Sequence, residues 1–469
     1  MQRTKIVATI GPKTANSKAL NEMFNAGMSV ARLNGSHNSL DWHKKTIKLI
    51  KKVLPDCPIL LDIPGKKIRT AKLSNEPKFR KNDIIIITTS KGYNGEKKVS
   101  ITNNRLHKFI NKGDIVYADD GTLKFTVSKV HKNDIYLKAE THGILKSSKG
   151  INVPHVSLGG SLVTSRDKKM IAFSVEQKVD FIGISFVESA KHLNLIKKLI
   201  KKDSPKIVAK IENKKGVESL EEIIHEADVI MIDRGDLATE TNIETLGINQ
   251  KKIIKKAIDF SKPVIVATEM LDNMIKHPYP TKAEVLDISN SIVDGATATM
   301  LSGETAVGNY PVESIKVMER ISSVMIKQKD SYDNLKNKTD TEGMANAIKH
   351  LCLSLPITKI IAITVSGFAA RIVSSQMIPQ PIIAISNNKD IARSFNILSG
   401  TKGVFLKTQF YKNSLDHIPV CLNYLWKKKI VLEKDMVLIT ALGYPGSGRR
   451  MNLLQTHVIK DLVKTFKWK

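Results

Sequence analysis

The sequence predicts an α/β fold, a (β/α)8 TIM barrel interrupted by a small all-β insertion and followed by a separate α/β pattern. Three observations predict it. Eight short, nearly unbroken apolar runs recur in the first three hundred positions. Stretches of helical periodicity separate most of them. One interval, between the third and fourth runs, is well over a hundred residues long where the others are about twenty to thirty. Strands buried on both faces of a parallel sheet read as continuous apolar runs rather than as alternation. Their regular exchange with helices is the pattern of a barrel.

In chain order, the first run is Lys5–Ile10 (KIVATI), with a helical pattern near 18–26. The second is Ser29–Leu33 (SVARL), with a helix near 41–53, and the third is Pro58–Asp62 (PILLD). The long interval then contains Ala71–His155, where alternating segments (DIIIITT, DIVYADDGTLKFTVSKV, DIYLKAE) lie between Asn, Asp and Gly turns. Alternation bounded by such turns predicts half-buried strands, hence the β insertion. The barrel resumes with Phe181–Phe186 (FIGISF), Lys206–Lys210 (KIVAK), Val229–Ile232 (VIMI), Pro263–Thr268 (PVIVAT) and Ala298–Leu301 (ATML). Helical patterns lie near 188–202, 216–225, 247–260, 282–293 and 310–328. A polar stretch, KQKDSYDNLKNKTDTEG, predicts a linker, and beyond it Lys359–Val365, Pro381–Ser386 and Met436–Ala441 predict strands of the α/β domain. The expected boundaries are 1–70 and 156–330 for the two parts of the barrel, 71–155 for the insertion and 331–469 for the C-terminal domain.

Composition narrows the class. Of 469 residues, 42% are hydrophobic and 25% charged, ordinary proportions for a globular chain. No segment approaches the ~18 consecutive apolar residues of a spanning helix, so no membrane association is expected. MQRTKIVATIGP has no apolar core followed by a small-residue cleavage site, and a secretory signal is not expected. Three cysteines, Cys57, Cys352 and Cys421, make no disulfide framework or metal-ligand spacing; a reducing, cytoplasmic compartment is expected. Lys and Arg total 74 against 45 acids, a net charge of +29. A nucleic-acid-binding protein is the alternative in another class. The lysines, however, are spread along the chain in short runs on predicted helix faces, without interleaved aromatics, as solvated faces are.

In this barrel type, reactive groups collect at the C-terminal ends of the strands. Those ends read Arg32-Leu33-Asn34-Gly35-Ser36-His37, Asp62, Lys210-Ile211-Glu212-Asn213, Arg234-Gly235-Asp236, Thr268-Glu269 and Ser302-Gly303-Glu304. Glu212 and Asp236 come from adjacent strands and lie beside Lys210. Mg²⁺ takes oxygen ligands and is commonly held by one or two carboxylates, with water and substrate completing the shell. Arg32 and Lys210 suit a transferring phosphoryl group. The turn after Arg234 offers backbone N–H groups to an anion. One such group alone is usually a surface pair; six strand ends carrying them together are not.

The segments RTKIVATIGP, GMSVARLNGSH, KGINVP, AKIENKKGVESLEEI, RGDLATE, KPVIVATEMLDNMI and PTKAEVLDISNSIVDGATATMLSGETAVGNYPVE closely resemble the pyruvate kinase family over residues 1–330. The resemblance is weaker in ITKIIAITVSGFAARIVSSQMIPQPIIAIS and VLITALGYPGSGRR. It implies a barrel domain, an inserted β-barrel lid, a C-terminal regulatory domain and a homotetramer. It implies transfer of a phosphoryl group from phosphoenolpyruvate to ADP, giving pyruvate and ATP in glycolysis, with Mg²⁺ or Mn²⁺. By the same resemblance, Arg32 contacts the phosphoryl group, and Lys210 stabilises it and the developing enolate. Glu212 and Asp236 hold the divalent metal. The Gly235 and Asp236 amides and the Thr268 hydroxyl seat the pyruvate carboxylate. Arg69, Lys149 and His37 face the nucleotide. Asn34, Ser36, Asp62 and the Ile63 carbonyl correspond to the family's monovalent-cation ligands.

Four departures from the family pattern stand out. LDIPGKKIR places Lys67 where K⁺-dependent members carry Glu, which implies that K⁺ is not required because a tethered ammonium replaces the ion's charge. Asp233 stands where Ala usually precedes Arg-Gly-Asp; pointing inward, it would repel the substrate carboxylate. Ala238 replaces a Gly. Glu269 and Lys282 replace Gln and Arg. A family member with impaired or altered substrate use is therefore the second enzymatic expectation. In the C-terminal part, Gly443–Arg450 (GYPGSGRR) lacks the Lys-Ser/Thr ending of a Walker loop. By resemblance it is a sugar-phosphate effector loop, with Ser366, Arg449 and Arg450 as its phosphate contacts; an unliganded turn is the other reading.

Overall fold

The computed structural model describes residues 2–119, 121–154, 156, 161–201, 204–325, 339–410, 414–441 and 451–468. The eight apolar runs become eight parallel strands: β1 (Lys5–Thr9), β2 (Met28–Asn34), β3 (Ile59–Ile63), β4 (Phe181–Ile184), β5 (Lys206–Ile211), β6 (Val229–Asp233), β7 (Val264–Ala267) and β8 (Ala298–Leu301). Each pairs with its chain neighbour, and β8 pairs with β1 to close the barrel. Successive side chains on a strand point to opposite faces, and that period sorts the core into two sets. Val7, Val30, Leu60, Phe181, Val208, Met231, Ile265 and Met300 form the barrel interior, in one cluster with Ile360, Phe395 and Leu398 of the C-terminal domain. Ile6, Ala31, Leu61, Ile182, Ala209, Ile232 and Val266 face the surrounding helices.

Those helices carry ordinary start signals. Thr164 caps Ser165–Glu176 and Thr281 caps Lys282–Asp294, each in a reciprocal capping box with the residue three positions on. Gly295, in the left-handed region at φ 110°, ends the second.

Between β3 and β4 lies a curled seven-stranded sheet with its own core, centred on Phe125, Ile135 and Leu137. Its outer pair, Ile68–Arg69 with Gly150–Asn152, joins it to the barrel. A Cβ at Gly150 would lie 2.7 Å from Lys67 Cε, so glycine there leaves the passage through which the lysine stem runs.

The C-terminal domain is a five-stranded sheet in the order β11–β10–β9–β12–β13, built from β9 (Lys359–Ile363), β10 (Ile382–Ser386), β11 (Thr401–Phe405), β12 (Met436–Ala441) and β13 (Leu453–Val458). Only β13 runs antiparallel. Neither β11 nor β13 was expected from the sequence: TKGVF and LLQTHV are broken by polar residues, as edge strands can be. Buried Asp180, at the start of β4, accepts from Arg393 of this domain at 2.7 Å and from the Ile59 N–H at 2.8 Å. This ties the domain to the N-terminal end of the barrel. Most of the expected polar linker lies outside the described residues.

Candidate active site

The inward register that packs the barrel floor changes character one step from the C-terminal rim. Val7 is followed inward by Thr9, Val30 by Arg32, Leu60 by Asp62, Val208 by Lys210 and Glu212, and Met231 by Asp233. On β4 the inward position is Gly183, where a Cβ would sit 2.9 Å from Asp62 Oδ1; the next is Ser185. An apolar floor therefore carries a charged mouth.

Arg32 Nη2 and Nε donate to Asp62 Oδ2 at 2.7 and 3.1 Å, and Nη1 donates to Thr9 Oγ1 at 2.9 Å. Lys210 Nζ lies 2.7 Å from Glu212 Oε1, 3.1 Å from Asp233 Oδ2 and 3.3 Å from Asp62 Oδ2. All these side chains are buried. Burial alone would lower the Lys210 ammonium, but Asp62, Glu212 and Asp233 hold it well above its ordinary value. Burial pushes the Glu212 carboxyl up to about 8 against the pull of Lys210. Burial acts the same way on Asp233, yet Lys210, Lys67 and Arg32 bring it down to about 2.

Asp236 lies on the short helix Arg234–Glu240 that opens at the end of β6. Its Oδ1 accepts from Lys67 Nζ at 2.6 Å and from Asn152 Nδ2 at 3.2 Å. Burial raises its pKa, and Lys67 opposes the rise. Asn152 also donates to Glu240 Oε1 at 2.8 Å; Glu240 is nevertheless pushed up to about 7 by burial. Carboxylate oxygens of Glu212, Asp233 and Asp236 lie within 4.8 Å of one another. This all-oxygen donor set fits a hard divalent cation.

Thr268 and Glu269 both have left-handed backbone, φ 69° and 54°, sparsely populated for residues with side chains. Arg234 holds them there. Its Nη2 donates to the Thr268 and Glu269 carbonyls at 2.6 and 3.2 Å, while Nη1 pairs with Asp287 at 2.6 Å. The clamp brings Thr268 Oγ1 to 2.9 Å from the Gly235 N–H. Two of the predicted carboxylate-seating groups, the Gly235 amide and the Thr268 hydroxyl, thus lie together. Asp233, beside them, does point inward, but its charge faces Lys210, and the bare repulsion expected from the sequence is offset. The Glu269 and Lys282 side chains are exposed.

On the other side of the mouth, the Asn34 side-chain oxygen accepts from the Ser36 N–H at 3.0 Å, and the Ile63 carbonyl accepts from Ser185 Oγ at 2.8 Å. Asp62 Oδ1 is buried and has no hydrogen-bond partner among the described residues. Arg69 Nη1 donates to the Ser148 carbonyl at 2.9 Å, and Lys149 pairs with Asp119 at 2.6 Å. Burial, then the charges of Arg69, Arg32, Arg166 and Lys149, keep the His37 pKa low. These cations therefore share one neighbourhood with His37. Ser366 follows β9; Arg449 and Arg450 lie outside the described residues.

Sequence analysis left the direction of Asp233 open and missed three participants: the contact of Lys67 with Asp236, Asn152 and Arg166. Strand parity gives that direction, since Val229, Met231 and Asp233 share one face. The Lys67 contact and Asn152 depend on how the insertion folds back over the barrel, whereas Arg166, on the helix Ser165–Glu176, donates to the Gly35 carbonyl at 3.1 Å beside His37.

Comparison with known proteins follows the same lines. Residues 1–315 match the family model described as pyruvate kinase, barrel domain, and residues 342–457 match that of the pyruvate kinase alpha/beta domain. The chain is 36% identical over 455 residues to pyruvate kinase of Thermococcus litoralis, covering 93% of this chain and 94% of the relative. It is 35% identical over 480 residues to that of Geobacillus stearothermophilus, covering 98% and 81%. It is 34% identical over 468 residues to that of Thermotoga maritima, covering 97% and 99%.

Proposed function

This chain belongs to the pyruvate kinase family and transfers the phosphoryl group of phosphoenolpyruvate to ADP, giving pyruvate and ATP; on that premise we propose which of its residues do the work. The observation that carries the assignment is Lys210, a buried ammonium among three carboxylates and close to Arg32 through Asp62. Arg32 and Lys210 face the phosphoryl group as the bond from the enol oxygen to phosphorus breaks and the bond to the ADP oxygen forms. Lys210 also stabilises the enolate left behind, which is then protonated at carbon. The Gly235 and Asp236 amides and the Thr268 hydroxyl seat the carboxylate. Substrate entry then replaces the Gly235 to Thr268 hydrogen bond. Arg69, Lys149 and His37 bind the nucleotide side. Glu212 and Asp236 would hold a divalent ion, Mg²⁺ or Mn²⁺, which when bound would supply Lewis-acid charge at the reacting oxygens. Closing the insertion over the mouth excludes water, which strengthens every one of these charge interactions.

Lys67 acts in place of K⁺, and its anchoring on Asp236 supports that role by tying a fixed cation to the site. The Asn34, Ser36, Asp62 and Ile63 oxygens then serve local hydrogen bonding and Arg32 rather than an ion. A sugar-phosphate effector held by Ser366, Arg449 and Arg450, and assembly as a homotetramer, complete the proposal. No helix among the described residues is long and apolar enough to cross a membrane.

The test of the central assignment is Lys210→Met in a coupled assay for pyruvate formation, with circular dichroism as the folding control. Loss of a fixed charge at the reacting group should lower kcat by about 10³, roughly 4 kcal/mol of transition-state stabilisation. A fall of less than tenfold would remove Lys210 from the reacting centre.

A further inference from the structure

We propose that Asp233 is a third carboxylate ligand of the divalent-metal site, which lets this chain load its metal before substrate arrives. The inference rests on reading Glu212 and Asp236 as metal ligands.

The geometry carries it. Asp233 ends β6 on the inward register, three residues before Asp236, so strand and helix present the two carboxylates to one point. An oxygen of each lies within 4.8 Å of the other and of a Glu212 oxygen. An octahedral ion with bonds near 2.1 Å needs its ligands about 3 Å apart in cis and about 4 Å in trans, the same scale as the 4.8 Å within which these oxygens lie. Glu212 Oε1, fully buried, accepts no well-directed hydrogen bond among the described residues; its neighbour is the Lys210 ammonium at 2.7 Å. Asp236 is likewise met by the Lys67 ammonium at 2.6 Å.

Two ammonium groups therefore occupy the positions from which a dication neutralises these carboxylates. With Asp233 present, the ion gains a third anionic donor, and Lys210 keeps Asp62 as a partner when it releases Glu212. With Asp62 balanced by Arg32, Glu212 and Asp236 facing Lys210 and Lys67 offer a free dication no excess negative charge. The third supplies it, independently of the substrate's own phosphate and carboxylate.

The experiment is Mn²⁺ binding to the substrate-free full-length protein, followed by electron paramagnetic resonance of free Mn²⁺. Asp233→Ala should raise the Mn²⁺ Kd at least fivefold. Asp233→Asn, which keeps an oxygen and the volume but removes the charge, should raise it by a smaller factor and guards against misfolding of the alanine variant. Asp236→Asn is the control for the site itself. If Asp236→Asn weakens binding while Asp233→Ala changes Kd less than fivefold, Asp233 serves only to position Lys210 and the proposal is overturned. If neither substitution changes Kd, the metal assignment falls with it.

Discussion

Replacing Lys67 by glutamate tests whether the Lys67 ammonium stands in for a monovalent ion. The wild-type ammonium lies 2.6 Å from Asp236 Oδ1, with side chains only 14% and 8% exposed. Coulomb's law gives ~6 kcal/mol for unit charges at that distance and an effective dielectric constant of ~20. Desolvation takes back part of it, and removing one partner from a buried pair costs about 3–5 kcal/mol in measured cases. Lys67→Glu goes further, placing a second negative charge against Asp236. Where about 3 kcal/mol of this charge balance is lost in the transition state, kcat/KM without K⁺ should fall by about 10², at about 1.4 kcal/mol per tenfold in rate. Adding K⁺ should recover much of it by restoring a cation. Wild type should run in tetramethylammonium buffer with Mg²⁺ alone and respond to K⁺ by less than twofold. The assay is steady-state pyruvate formation across a K⁺ titration at constant ionic strength. A wild type that is nearly inactive without K⁺, or a Lys67→Glu variant indifferent to it, refutes the reasoning.

The other expectations are compact. In Lys210→Met, solvent proton exchange at the methyl group of pyruvate should survive better than phosphoryl transfer, and NMR in deuterated water compares the two; equal losses would contradict the division of roles. If Arg449 and Arg450 bind a phosphorylated effector, a sugar phosphate should shift the phosphoenolpyruvate saturation curve and Arg450→Ala should abolish the shift. A screen with no shift favours an unliganded turn. Burial raises Asp180 to about 6 against the pull of Arg393, above its ordinary value near ~4. The folded state thus holds this proton more tightly than the unfolded one. Its contribution is complete below about pH 4 and is lost as pH rises through about 6. Denaturation midpoints of wild type relative to Asp180→Asn should fall over that window, and a flat difference would contradict the assignment.

The barrel was legible because strands buried on both faces leave unbroken apolar runs, and KIVATI, FIGISF and PVIVAT are each read without context. Most strand-end groups were legible for the same reason: once the strands are placed, their ends are placed. Asp233 was recognised as unusual, with its direction left open. Its direction follows from strand parity, whereas its neutralisation by Lys210 and Lys67 depends on residues distant in sequence. The Lys67 contact with Asp236 was hidden because it spans the barrel and the base of the insertion, and no local pattern records that approach. The strands Thr401–Phe405 and Leu453–Val458 were missed because edge positions tolerate polar residues and so blur the apolar signal.

Division of labour by alternate residues also decides which kinds of inherited change this chain survives. Ala209 and Ile211 touch helices while Lys210 faces the mouth. A one-residue deletion within that strand would swing every following side chain to the other face. Lys210 would be driven into the packing layer, and an isoleucine would stand beside Asp62 and Asp233 in its place. Substitutions on the helix-facing register only disturb packing and admit repair by neighbours. Length changes inside the strands admit none. Insertions and deletions should therefore accumulate in the loops and in the inserted sheet, while the eight strand segments keep their residue count even as their apolar identities drift.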